Sequence, residues 1–226
     1  MTATIVNPVP TMADVAAILA GLGGVPPERI WMTPTPGTAT EADVIRIVES
    51  ADKRLVELVD GTLVEKIVGQ EESRITIRLG GKLDVYCEDN DFGWVSGPDA
   101  MTRMRGGNVR EPDLSVFPFS MFPDGAMPDE LVASVAPMLA IEILSKSNTV
   151  AEIAKKLVEL FTSGTTLAWV IDPKKRTAKV YTAATKFTTL DEAGVLDGAE
   201  VVPGFRCPLS DLFAVGKHRS ARKKAP

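Results

Sequence analysis

The chain has 226 residues, 45% of them hydrophobic, and a formal net charge of −5, which suits one decorated domain or at most two small ones. Its two cysteines, Cys87 and Cys207, make neither a disulfide framework nor a zinc signature. The only histidine is His218, so serine–histidine and cysteine–histidine catalysis and histidine-held zinc are excluded, and a metal here would take oxygen ligands, which points to magnesium or manganese.

Met1 to Pro8 lacks the basic and apolar regions of a signal peptide. No apolar run approaches the roughly 18 residues that cross a bilayer. A soluble, cytoplasmic protein is expected. Residues 1–50 read as an N-terminal helical extension. Thr11 caps a predicted helix from about Met12 to Leu22, where Val15, Ile18, Leu19 and Leu22 share a face and Gly23-Gly24 end it. A second helix follows Thr40, from Glu41 to about Glu49.

Leu55–Val59 and Thr62–Ile67 flank Asp60-Gly61 and read as a β-hairpin. Its alternation predicts Glu57 and Glu65 on a solvated face. Gln70 to Tyr86 is predicted helical, with Ile75, Leu79, Leu83 and Tyr86 on one stripe. Glu72, three residues before Ile75, shares that stripe and Glu71 does not. A first-turn acid also suits the helix dipole, so Glu72 has two readings. Gly80-Gly81-Lys82 lies inside this helix and lacks the spacing of a phosphate loop.

Three strands are predicted next, Phe92–Ser96, Met101–Arg105 and Pro112–Phe117, then a proline-bearing loop over Phe119–Ala136. Met138–Leu144 is apolar apart from Glu142, as expected of a central buried strand. Asn148 or Thr149 caps a helix that runs to about Ser163 and ends at Gly164. Its predicted buried arc is Val150, Ile153, Ala154, Leu157, Leu160 and Phe161. Lys155 points away, beside Glu152 and Glu159, whereas Lys156 sits at the edge of the arc and either snorkels outward or reaches toward Glu142. A strand Leu167–Ile171, a hairpin over Ala178–Leu190 and a short helix Ser210–Phe213 complete the order. The last ten residues hold Lys217, Arg219, Arg222, Lys223 and Lys224 and no acid, leaving 20 basic against 30 acidic residues elsewhere. An acidic body argues against a broad phosphate-binding surface, and residues 216–226 read as a basic, disordered tail.

Asp113 and Glu142 each interrupt an apolar run, where a charge is costly to bury without a partner or a metal. On neighbouring strands the two could share one divalent cation with open positions for water and a phosphate oxygen. A nearby lysine would steady the developing charge. That pattern points to metal-assisted phosphodiester hydrolysis.

Pro112-Asp113 with Glu142 about thirty residues later resembles the PD-(D/E)XK nuclease core. More specifically, the chain resembles the Uma family of restriction endonucleases. The matching pieces are Glu57–Glu65, Arg110–Asp113, Glu142–Ser145, Lys156 before Gly164, Trp169–Pro173, and Val202–Phe205 with Leu209–Phe213. The resemblance covers roughly residues 40–213. It implies a restriction-endonuclease-like α/β core (helix, three strands, helix, strand) with a mixed central sheet flanked by helices, occupying residues 51–215. It also implies that Asp113 and Glu142 ligate Mg²⁺ or Mn²⁺, that Glu72 is an auxiliary ligand, and that Lys156 replaces the strand lysine, whose position is Leu144 here. Lys146 is the fallback. Many members carry a histidine where this chain reads Glu71-Glu72-Ser73. DNA as substrate and pairing as a homodimer rest on the resemblance alone. The competing expectation is a non-catalytic binding or structural protein that keeps the nuclease fold.

Overall fold

The structure is a computed structural model that describes residues 11–122, 124–126 and 129–214. His218 and the basic tail lie outside the described residues, as do Met1 to Pro8. Helix α1 (Met12–Gly21) opens on a reciprocal cap, with the Thr11 hydroxyl accepting from Asp14 N–H and the Asp14 carboxylate from Thr11 N–H. Thr40 and Asp43 cap α2 (Glu41–Val48) in the same way. Strands β1 (Val56–Val59) and β2 (Thr62–Glu65) pair antiparallel around Asp60 and Gly61. Both turn residues take positive φ, 49° and 69°, which matches the twist of the flanking strands.

The chain continues through α3 (Gln70–Asp89), β3 (Gly93–Ser96), β4 (Met101–Arg103), β5 (Val109–Arg110), β6 (Leu114–Pro118), β7 (Val132–Ala133) and β8 (Leu139–Ile143). Then come α4 (Val150–Ser163), β9 (Leu167–Asp172), the hairpin β10 (Thr177–Ala183) and β11 (Lys186–Leu190), β12 (Val195–Asp197), β13 (Arg206–Pro208) and α5 (Leu209–Phe213). One sheet has the order β2-β1-β5-β4-β7, a second has β11-β10-β9-β8-β6-β3, and β12 pairs with β13. The second sheet is mixed. Its β8–β9 pair is parallel and is bridged by α4, since parallel neighbours need a crossover, while β3–β6 and β6–β8 are antiparallel.

A helix covers each face of that sheet. Ile75, Leu79, Leu83 and Cys87 of α3 pack on Leu114, Val116, Leu139, Ile141 and Trp169. On the other side Ile153 and Leu157 of α4 pack on Ala168, Val170 and Tyr181. Period-2 alternation in β8 therefore sends Leu139, Ile141 and Ile143 toward α3, and Ala140 and Glu142 toward the side of α4. The expected mixed sheet flanked by helices is the fold observed.

Several local expectations change. Asp113 precedes β6 rather than lying within it, and Val109–Arg110 is a separate strand of the other sheet. Val132–Ala133, inside the predicted loop, pairs parallel with β4. Val150 is 88% exposed and Ala154 is also exposed, because the two lie four residues apart on the face of α4 turned off the sheet. None of the helices among the described residues is long and apolar enough to cross a membrane.

Candidate active site

Strand β5 leaves one sheet at Arg110 and β6 enters the other at Leu114, so Glu111, Pro112 and Asp113 cross between the two. Pro112 has no N–H to leave unpaired in that crossing. Leu114 stands opposite Ile141, and one antiparallel step further brings Asp113 level with Glu142. Lys156 reaches in from the second turn of α4, and Glu57 from β1. All four side chains are buried, as are Arg110 and Glu111.

Lys156 Nζ lies 2.6 Å from Glu142 Oε1 and 2.7 Å from Glu57 Oε1, and donates to the Glu111 carbonyl at 3.1 Å. Glu142 Oε1 touches this ammonium out of hydrogen-bond alignment, so its pairing is ionic. Glu57 also accepts from the Glu111 N–H at 2.9 Å and from Arg110 Nη1 at 2.9 Å. Arg110 in turn grips Glu159 through Nε and Nη2, at 2.7 and 3.0 Å. Asp113 is fixed at both oxygens: Oδ2 accepts from Ile143 N–H at 2.6 Å, and Oδ1 pairs with Lys66 Nζ at 2.9 Å. Lys66 donates to the Glu111 carbonyl at 2.7 Å as well.

The cluster holds more acid than base: Glu57, Glu111, Asp113, Glu142 and Glu159 against Lys66, Arg110 and Lys156. Burial responds by raising the affinity of two of these acids for a proton. Desolvation, reinforced by Glu57, pushes the Glu111 carboxyl up to about 8 against the pull of Lys66 and Lys156, and neither Glu111 oxygen has a partner. Desolvation likewise raises Glu142 to about 7, opposed by Lys156 and aided by Asp113. At Glu57 the burial penalty is outweighed by Lys156 and Arg110, which hold its carboxyl well below the usual range. Burial would lower Lys156, but Glu142 and Glu57 raise it instead, so it stays charged.

Asp113, Glu142, Lys156 and Glu72 line one pocket with a void of about 20 Å³, room for one or two water-sized particles. Hard oxygen donors and a void of that size fit a magnesium-like cation. Asp113 and Glu142 are the residues that would hold it. Glu72 is half-buried, and its carboxylate folds back against Gly69 at the start of α3. It forms a wall of the pocket and also sits at the helix N-terminus. Among the described residues no three His, Cys, Asp or Glu side chains converge as a ready metal cluster.

A family profile described as "Uma2: Putative restriction endonuclease" matches residues 42–210. The chain belongs to the Uma2 family. Among solved structures it is similar to one described as "a putative nuclease belonging to DUF820" from Anabaena variabilis, with a TM-score of 0.63 and 21% identity over 71% of this chain and 90% of that one. At that identity the likeness concerns the fold, which is restriction-endonuclease-like. No curated protein matches the chain.

Within this Uma2 chain the expected residues Asp113, Glu142, Lys156 and Glu72 share one pocket, and Lys156 takes the inward path. Leu144 packs with Ile153 and Leu157. Lys146 does not line that pocket and borders a neighbouring groove. Glu57 corrects the expected solvated face: it is 4% exposed. Leu22 and Val25 pack on Val59 and Val64, so residues that precede the hairpin cover its second face. Lys155 pairs with Asp60 at 2.8 Å instead of its helix neighbours, because Glu152 is taken by Arg29 and Glu159 by Arg110. Lys66, Arg110 and Glu111 join the cluster although the sequence assigns them no role in it. The signal was the density of charge from Arg110 to Asp113, three ionisable groups in four residues, which a surface turn would also show.

Proposed function

We propose that this Uma2 member is a divalent-metal-dependent endonuclease that hydrolyses DNA phosphodiester bonds. The observation that carries the proposal is the convergence of Asp113, Glu142 and Lys156 in one pocket whose buried acids outnumber its bases. Bound Mg²⁺ or Mn²⁺ would polarise a phosphate oxygen and lower the pKa of a coordinated water. The protein does the positioning. Ile143 N–H locks the Asp113 carboxylate, and Glu57 with the Glu111 carbonyl aims the Lys156 ammonium. Lys156 then steadies charge developing on the phosphate, inside walls that exclude bulk water. Glu72 lines the same pocket and would be an auxiliary ligand.

We assign the nuclease unit to residues 51–215, with 1–50 as an addition and 216–226 as a basic tail, and expect a homodimer. Cys87 and Cys207 are both free and buried, which suits a reducing, cytoplasmic setting. A second reading has one observation in its favour. Lys66 and Lys156 already neutralise Asp113 and Glu142, as they would in a non-catalytic relative that keeps the network for its fold.

Calorimetric titration of Mg²⁺ or Mn²⁺ into wild type and Asp113→Ala, with plasmid cleavage on the same samples, separates the two. Binding and nicking that vanish together in the variant support the nuclease. A folded wild type that neither binds metal nor nicks DNA supports the second reading.

A further inference from the structure

The pocket that holds Asp113 and Glu142 is too small for a nucleic-acid strand. Its void of about 20 Å³ takes one or two water-sized particles, so a phosphodiester has to reach it from a neighbouring space. A groove of about 370 Å³ adjoins it and shares Ile67, Glu72 and Ser145 as walls. The groove runs between two elements. Glu71 and Glu72, at the start of α3, stand on one side, and Ser145, Lys146 and Ser147, between β8 and α4, stand on the other. A space of that size takes about one nucleotide.

The two sides differ in charge. The α3 side is acidic. Across from it Lys146 is exposed and forms no ion pair among the described residues, whereas Lys66, Lys155 and Lys156 are each held by a carboxylate. The turn that carries Lys146 is braced on both flanks. Ser145 N–H donates to Asn148 Oδ1 at 2.9 Å, and the Ser147 carbonyl accepts from Arg29 Nη1 at 3.1 Å. The groove therefore offers one uncommitted ammonium on a fixed backbone, next to the carboxylates of the pocket. Ile67 is 48% exposed and stands where groove and pocket meet, an apolar surface against which a deoxyribose can pack.

We propose that one DNA strand lies in this groove. The scissile phosphate sits at the mouth of the pocket, the next phosphate on Lys146 and Ser147, and the sugar between them against Ile67. Glu71 on the facing wall repels phosphate and keeps it to the Lys146 side. The assignment rests on the nuclease reading and separates two lysines. Lys156 acts on the reacting phosphate, whereas Lys146 binds a phosphate that does not react and so holds substrate and transition state alike.

The test is fluorescence anisotropy of a short labelled duplex over a salt series, with a chelator present so that no strand is cut. Lys146→Ala should weaken binding about tenfold at about 0.1 M salt and reduce the slope of log Kd against log salt by about 1. Ile67→Glu, which sets a like charge against the strand, should weaken binding as well. Lys186→Ala removes the same charge at the start of β11, the far edge of the second sheet, and should change neither quantity. In Mg²⁺-dependent nicking, Lys146→Ala should raise KM and leave kcat within about threefold, the signature of uniform binding. Affinity and salt slope unmoved by Lys146→Ala overturn the proposal, even in a chain that nicks DNA. An equal effect of Lys186→Ala also overturns it, since any surface charge would then serve, and so does a wild type with no affinity for the duplex. A chain that binds DNA through Lys146 and never nicks it keeps the groove as a DNA site and removes the nuclease reading alone.

Discussion

Arg110 is among the largest fully buried side chains of the molecule. Its charge is tolerable only because Glu57 and Glu159 surround the guanidinium. The same logic applies to Lys156 between Glu57 and Glu142. Lys156→Met should cost about 3–5 kcal/mol in urea unfolding, since it strands two buried carboxylates, and should abolish plasmid nicking. Adding Glu57→Gln should recover part of the stability and none of the nicking. Full activity in Lys156→Met would remove the lysine from the proposed chemistry. Glu111 predicts a pH dependence. Its carboxyl is raised from 4.5 to about 8 in the fold, so the folded chain holds the proton more tightly than the unfolded one. The stability it contributes is present below about pH 4.5 and is lost as pH rises to about 8. Each unit is worth about 1.4 kcal/mol, which makes the full effect a few kcal/mol. Unfolding of wild type and Glu111→Gln at several pH values should show the decline in wild type and a flatter profile in the variant. Parallel profiles would dismiss this role.

Among the elements, the contact between the N-terminal segment and α4 forms one wall of the pocket, through Arg29 and Glu152. Thr149 Oγ1 donates to the Gly23 carbonyl, and Arg29 forms a doubled ion pair with Glu152 at 2.7 and 3.0 Å. Gly23 has φ of +81°, and a Cβ there would lie 2.7 Å from Glu152 N. That neighbour is backbone in the first turn of a helix and cannot step aside cheaply. Gly23→Ala should therefore cost about 2–3 kcal/mol, from the strained φ and from the displaced helix start. Gly164 ends α4 at φ +124° with open space around it. Gly164→Ala should cost about 1–2 kcal/mol, from conformation alone. Equal losses in paired thermal melts would mean that the approach of residue 23 to α4 does not matter.

For the whole molecule, the site is a junction. Glu57, Lys66 and Arg110 arrive with one sheet, Asp113 and Glu142 with the other, and Lys156 with the helix between β8 and β9. A cation bound there would tie these parts together and would bind only the folded state. Mg²⁺ at about 100 times its dissociation constant should add about 2.7 kcal/mol to stability. The shift should appear as a higher melting temperature, reverse with a chelator, and be missing in Asp113→Asn. An identical shift in the variant would place the cation elsewhere.

The sequence by itself determined the helices, the caps at Thr11 and Thr40, the hairpin turn and the candidate pair Asp113 and Glu142, while Lys156 joined them through the family resemblance. The features read from residue patterns depend on local periodicity, turn chemistry and the cost of interrupting an apolar run, and the extent of α4 from Asn148 or Thr149 to Gly164 could be read from a short window, with Thr149 the cap observed. Only the tertiary structure decided that Glu57 is buried, that Lys66 pairs with Asp113, that Lys156 turns inward, and that β4 and β5 join a different sheet from β3 and β6. Each of those outcomes depends on what covers a face, and the covering residues lie elsewhere in the chain: Leu22 and Val25 over the hairpin, Arg29 against Glu152. A strand's alternation says that its two faces differ. Whether the second face meets water or another layer of protein is a non-local fact, and for a carboxylate that difference separates a solubilising charge from a site.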